Sequence, residues 1–145
     1  MVRGLGLVVS RVGGCTGTVA TANPQRVRNH KDLIVWQRAL QLVKAVYALT
    51  ARFPENERYG LAVQMQRAAV SLASNIAEGQ ARNSTKEFLQ FLSHAGGPVA
   101  ELETQLIVAT DVGYCSGKEL EKLGAWIGEI QRMLAGLRRS LSSAH

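Results

Sequence analysis

Apolar side chains recur at steps of three and four residues through four stretches of the chain. Leu33, Trp36, Leu40, Val43, Tyr47 and Thr50 make the first stripe, and Leu61, Met65, Ala68, Leu72 and Asn75 the second. Phe88, Phe91, Ala95, Val99, Leu102, Leu106 and Ala109 make the third; Leu120, Leu123, Ile127, Ile130, Leu134, Leu137 and Leu141 make the fourth. This spacing puts each set on one face of an α-helix, and four such faces can leave water by packing on one another. The connections are short, so neighbours run antiparallel. The pattern predicts an all-α, up-down-up-down four-helix bundle. No stretch alternates apolar and polar residues between turn signals as a strand would.

Local punctuation sets the expected boundaries at 30–52, 56–78, 84–112 and 117–142. Asn29 with Asp32, Ser84 with Glu87, and Ser116 with Glu119 each place a capping oxygen three residues ahead of a carboxylate, the signature of a helix start. "FPENERYG" at 53–60 divides the first two helices, because Pro54 cannot donate to a helix and holds Phe53 extended. Gly79 and Gly113 stand where a left-handed closing residue is wanted. Within "GGP" at 96–98, Pro98 cannot donate to the His94 carbonyl, so a kink is expected in the third helix.

Residues 1–29 show no sustained period. They contain five glycines before residue 18 and also Pro24, and read as a flexible basic arm ahead of a single domain at 30–145. Arg11 breaks the apolar run from Leu5 to Val9 that a secretory signal would need, and it precedes the "VGGC" that loosely resembles a lipoprotein site. Arginine and serine are too sparse for an organelle transit peptide.

A length of 145 residues suits one domain, and 46% apolar with 19% charged residues is ordinary for a soluble globular protein. No apolar run reaches the length of a membrane span, so no membrane partner is expected. Cys15 and Cys115 have neither metal-ligand nor disulfide-framework spacing, which fits a reducing cytoplasm. The net charge of +6 points to nucleic acid, but Arg3, Arg11, Arg26 and Arg28 of the arm, with no acid among them, supply most of it.

Charge and polarity inside the helices offer three candidate sites. In "RAAVSLASNIAEG" at 67–79, Arg67, Ser71, Ser74, Asn75 and Glu78 share one stripe, and an antiparallel third helix brings Glu101 level with Arg67. That predicts a buried hydrogen-bonded structural network, since a buried arginine needs a carboxylate. The other readings are a catalytic or ligand site, which lacks a nucleophile beside a base, and a subunit interface. For nucleic acid the candidates are Arg82, Lys86, Arg132, Arg138 and Arg139, although Glu119, Glu121 and Glu129 interleave with the cations of the last helix. Trp126 flanks the fourth stripe, at the bundle edge or at a subunit contact.

Enzymatic readings find little support. A di-iron bundle needs Glu-x-x-His pairs, and none occurs. His30, His94 and His145 do not cluster in sequence, and the ribonuclease-like interval from Arg139 to His145 falls in a fraying tail. "HAGGP" at 94–98 lacks the lysine and hydroxyl of a phosphate loop. No catalytic residue, metal site or cofactor is expected.

The runs "DLIVWQRALQLVKAVYALTARFPENERYGLAVQMQRAAVSLASNIAEG", "STKEFLQFLSHAGG" and "ELETQLIVATDVGY" closely resemble the bacterial four-helix-bundle proteins known as large-subunit ribosomal RNA intervening-sequence proteins. The resemblance spans about residues 30 to 142, with RAAVS, SNIAEG and ELE in order. Ala73 stands where that family commonly has proline, and Pro98 where it commonly has serine. The resemblance implies a cytoplasmic bundle without known enzymatic activity, in several members a ring-shaped homopentamer. A related group, the accessory variability proteins of diversity-generating retroelements, works with reverse transcriptase and nucleic acid. The expectation is a non-enzymatic homo-oligomer that associates with RNA or DNA, and with a reverse transcriptase or another neighbour-encoded protein. The alternative is a protein–protein adaptor or assembly scaffold.

Overall fold

The computed structural model describes residues 33–143. Four helices follow one another: α1 Ile34–Thr50, α2 Leu61–Gln80, α3 Thr85–Asp111 and α4 Gly117–Ser143, with a short 3₁₀ turn at Glu55–Glu57 before α2. Each packs closely on two neighbours, and the diagonal pairs lie further apart across a shared core. Arg38 pairs with Glu129 at 3.6 Å and Arg52 pairs with Glu119, which fixes α1 and α4 as antiparallel. The expected four-helix bundle is the fold. The Asn29–Asp32 cap and the arm lie outside the described residues.

The α2/α3 seam is the most extensive and the α1/α4 seam the least. Small side chains explain the first: Ala68, Ala69 and Ala73 are buried on α2, and Ala95 and Ala109 on α3. Gly79 carries this furthest, since a Cβ there would meet Phe91 Cβ at 2.7 Å and Phe88 Cδ1 at 3.0 Å. Gly79 is thus a close-packing residue inside α2, not the left-handed terminator its position suggests. Gly113 does close its helix, with φ +88°. Around it Tyr114 N–H donates to Ala109 O at 2.8 Å and Gly113 N–H to Thr110 O at 3.1 Å, the paired bonds of a Schellman end.

Stripe phase follows expectation on three helices and shifts on one. Met65, Ala68 and Leu72, the third stripe from Ala95 onward, and Leu123, Ile127, Ile130 and Leu134 are all buried. On α1 the buried set is Val35, Ala39, Leu42, Val46 and Leu49, one residue away from the predicted phase, joined only at its ends by Leu33 and Thr50. "LIVW" and "ALQLV" allow two adjacent stripes; the one chosen turns aliphatic side chains to the centre and leaves Trp36 half-buried and Tyr47 exposed. On α3, Leu92 is wholly buried and Phe91 stays half-exposed.

Caps form where serine precedes glutamate. Ser84 Oγ accepts from Glu87 N–H at 3.1 Å. At Ser116 the box is reciprocal: Ser116 Oγ accepts from Glu119 N–H at 3.1 Å, and Ser116 N–H donates to Glu119 Oε1 at 2.9 Å. Pro98 sits inside α3 without ending it. The His94 carbonyl it leaves without a helical donor lies beside exposed Gly96 and Gly97, within reach of water.

At the end holding the α1/α2 and α3/α4 turns, Glu57 links the two connections. Its Oε1 accepts from Leu61 N–H at 3.0 Å and its Oε2 from Tyr114 Oη at 3.0 Å, while the Phe53 and Tyr114 rings lie 5.2 Å apart. The Glu57 hydrogen bond holds the Tyr114 phenol above its usual pKa.

Candidate nucleic-acid interface

The topology draws four of the five candidate cations to one end of the bundle. Arg82 leaves the turn after α2, Lys86 stands in the first turn of α3, and Arg138 and Arg139 lie near the end of α4. Arg132 is on the outward stripe of α4 with Arg139, about 10 Å further along the axis at 1.5 Å per residue. All five are exposed. None is in an ion pair among the described residues, whereas Arg38, Arg52 and Arg58 each hold a glutamate.

The two ends differ in sign. Among the described residues, Arg82, Lys86, Arg138 and Arg139 around the α2/α3 turn and the last turns of α4 stand with Glu78 and Glu87, while Arg132 has Glu129 one turn before it on α4. At the opposite end Lys44, Arg52, Arg58, Lys118 and Lys122 stand with six acids, Glu55, Glu57, Glu103, Asp111, Glu119 and Glu121. A modest net charge is thereby separated along the bundle, which gives a local positive field that the total does not suggest.

Two features shape the basic end. Between α3 and α4 an open groove is lined by Leu89, Ser93, Ala135, Arg138, Arg139 and Ser140, with small residues widening it and two guanidinium groups on its wall. Across α3, the Arg82 guanidinium lies over the Phe91 ring at 4.8 Å from the centroid, and His94 meets the same ring edge-on at 6.0 Å and 70°. Lys86 stands on the exposed face between them. Phe91 reads as core in the sequence and His94 as a packed or surface residue; their juxtaposition with Arg82 is set by the α2/α3 turn. The one signal in sequence is Leu92, the better core residue next to Phe91.

The polar stripe of α2 does not form the buried network expected of it. Asn75 Nδ2 donates to Ser71 O at 3.0 Å and to Ser71 Oγ at 3.3 Å, a contact within one helical turn. Arg67, Ser74, Glu78 and Glu101 are exposed, and Arg67 and Glu101 form no ion pair among the described residues. Steps of three and four keep these residues on a common face, but it is the face opposite Met65, Leu72 and Ile76. The buried polar side chains are instead Thr50 and Gln105. Thr50 Oγ1 donates to Val46 O at 2.9 Å and accepts from Gln66 Nε2 at 2.9 Å, whereas Gln105 Oε1 has no partner among the described residues.

Trp126 is half-buried against the core and floors a groove between α1 and α4 with Ala45, Ala48, Leu49 and Leu123, edged by Lys44 and Lys122. It belongs to the bundle edge in a single chain. Cys115 is a free, buried thiol. Among the described residues, no three of His, Cys, Asp and Glu stand together as metal ligands, and no helix is long and apolar enough to cross a membrane.

Comparison with known proteins gives a consistent picture. A family model described as 23S rRNA-intervening sequence protein matches residues 31–136. Among solved structures, a Bacteroides thetaiotaomicron protein of unknown function from the S23 ribosomal protein family matches with a TM-score of 0.65 at 20% identity. The match covers 72% of this chain and 98% of that one, and at such identity it shows the fold alone. No curated protein matches. Neither the family description nor that of the neighbour names a reaction.

Proposed function

The chain belongs to the 23S rRNA-intervening sequence protein family, and from that premise we propose that it is a non-enzymatic, cytoplasmic module that associates with nucleic acid through the basic end of its bundle. The observation that carries the reading is the gathering of Arg82, Lys86, Arg138 and Arg139, all exposed and without ion pairs among the described residues, at one end of a molecule whose other end leans acidic. Exposed cations with no internal carboxylate are available to phosphates at little desolvation cost. Homo-oligomerisation would repeat the patch around an axis and raise its avidity without any new contact.

The measurement is binding of labelled RNA and DNA by the full chain across a salt series. Affinity should fall with a log–log slope of about 0.7 to 0.9 per phosphate neutralised. Arg138→Glu with Arg139→Glu should flatten that slope, and Lys118→Glu with Lys122→Glu at the far end should not. No affinity at low salt would reject the reading.

A protein-only adaptor is the second reading, favoured by aliphatic side chains left exposed on α3 and just after it, namely Ile107, Val108 and Val112, and by exposed Tyr47 and Val70 beside the α1/α2 groove. A solution mass measurement that finds an oligomer dispersed by Val70→Glu or Val108→Glu, together with no nucleic-acid affinity, would favour it.

A further inference from the structure

We infer that the strand engaged at the basic end is unpaired, and that one of its bases stacks on the Arg82–Phe91–His94 cluster. The inference rests on the nucleic-acid reading above and specifies its ligand. Three flat groups stand together at the surface: a guanidinium over a phenyl face at 4.8 Å, and an imidazole at the edge of the same ring at 6.0 Å. Arg82 and His94 are exposed, so the guanidinium keeps its outer face open to solvent while its inner face rests on the ring. A nucleobase is the flat π-surface that completes such a stack, and stacking of this kind takes any base.

The platform is held in place beforehand. Phe91 Cβ lies in the space that a side chain on residue 79 would occupy, so the root of the Phe91 side chain is seated against the α2 backbone. Less ordering is then required at the moment of binding. Glu87 is one turn before Phe91 on α3, and Glu78 is one residue before Gly79 on α2. These two acids offset part of the Arg82 charge that would draw a phosphate to the ring. Phosphates have their own partners next to it: Lys86 on the exposed face of α3, then Arg138 and Arg139 in the groove on the far side of that helix. A strand crossing α3 meets the stacking cluster and the cations in turn, over roughly the 10 Å width of a helix. In a duplex the base faces are already stacked, and an A-form major groove is too narrow for side chains to read, so a paired ligand can use the cations and not the platform.

The test compares a short unstructured RNA with the same strand in a duplex, measured by fluorescence anisotropy with the full chain across a salt series. Phe91→Leu retains an apolar contact with Gly79 and removes the ring; Arg82→Lys keeps the charge and removes the flat guanidinium. Each variant should weaken the unpaired strand about five- to hundredfold, the range of one base–aromatic stack, with the salt slope unchanged. Duplex affinity should stay as in the wild type. Equal affinity for paired and unpaired ligands, or wild-type affinity in folded Phe91→Leu or in Arg82→Lys, overturns the inference while the basic end remains a nucleic-acid surface. Absence of binding to either ligand at low salt overturns both.

Discussion

Gly79 and Phe91 approach so closely that a Cβ added to the glycine would lie 2.7 Å from the phenylalanine Cβ. Two opposing effects follow for Gly79→Ala. Alanine favours the helix by about 1 kcal/mol, whereas forcing α2 and α3 apart costs roughly 1–3 kcal/mol. The obstruction is a Cβ carried on helix backbone and not the end of a flexible chain, so the second effect should win. Urea unfolding should show net destabilisation; a stabilised variant would mean that the helices slide apart freely.

Arg67→Ala should change stability by no more than about 0.5 kcal/mol, because its side chain is exposed and makes no ion pair among the described residues. A buried pair with Glu101 would instead have cost several kcal/mol. Dilute protein should be used for the melt, so that any loss through subunit contacts is not mistaken for loss of the fold. A shift of 2 kcal/mol or so under those conditions would restore the buried network.

Gln105→Met should raise stability by about 1 kcal/mol. The glutamine is 7% exposed and its Oε1 is without a partner among the described residues, and such an oxygen carries a desolvation penalty that an apolar side chain of similar shape avoids. A lower melting temperature in the variant would show that this oxygen is satisfied in solution.

The start of α4 should govern part of the acid response. The Ser116 backbone N–H holds the Glu119 carboxyl below its ordinary pKa of 4.5; desolvation opposes it, and Arg52 then adds to the lowering. A carboxyl with a depressed folded-state pKa contributes stability that is present above the unfolded value and lost as the pH falls through the folded value. Glu119→Gln keeps an acceptor for Ser116 N–H and removes the charge, so its stability should fall less steeply below pH 4.5 than that of the wild type. Parallel curves would show that the carboxylate is not coupled to folding. Ser116→Ala, by contrast, should cost about 1 kcal/mol at neutral pH as a lost cap.

Different residues of the candidate site were legible in sequence to different degrees. Arg82, Lys86, Arg138 and Arg139 can be picked out as exposed cations because lysine and arginine rarely bury. Their convergence cannot be seen, since Arg82 and Arg139 are brought to one end by the antiparallel course of α3 and α4. Phe91 was hidden for another reason. It stands beside Leu92 on a helix with more apolar positions than the core can take, and spacing alone does not say which of two neighbours will face out.

By itself the sequence determined the number and kind of elements, the Ser84 and Ser116 caps and the left-handed close at Gly113, because each depends on side chains within a turn of one another. Tertiary structure alone decided the inward stripe of α1, the outward turn of Arg67, Glu78 and Glu101, the close seat of Phe91 on Gly79 and the separation of charge between the two ends. Those outcomes depend on the volume and direction of side chains contributed by other helices, and the chain brings them together only when the bundle closes.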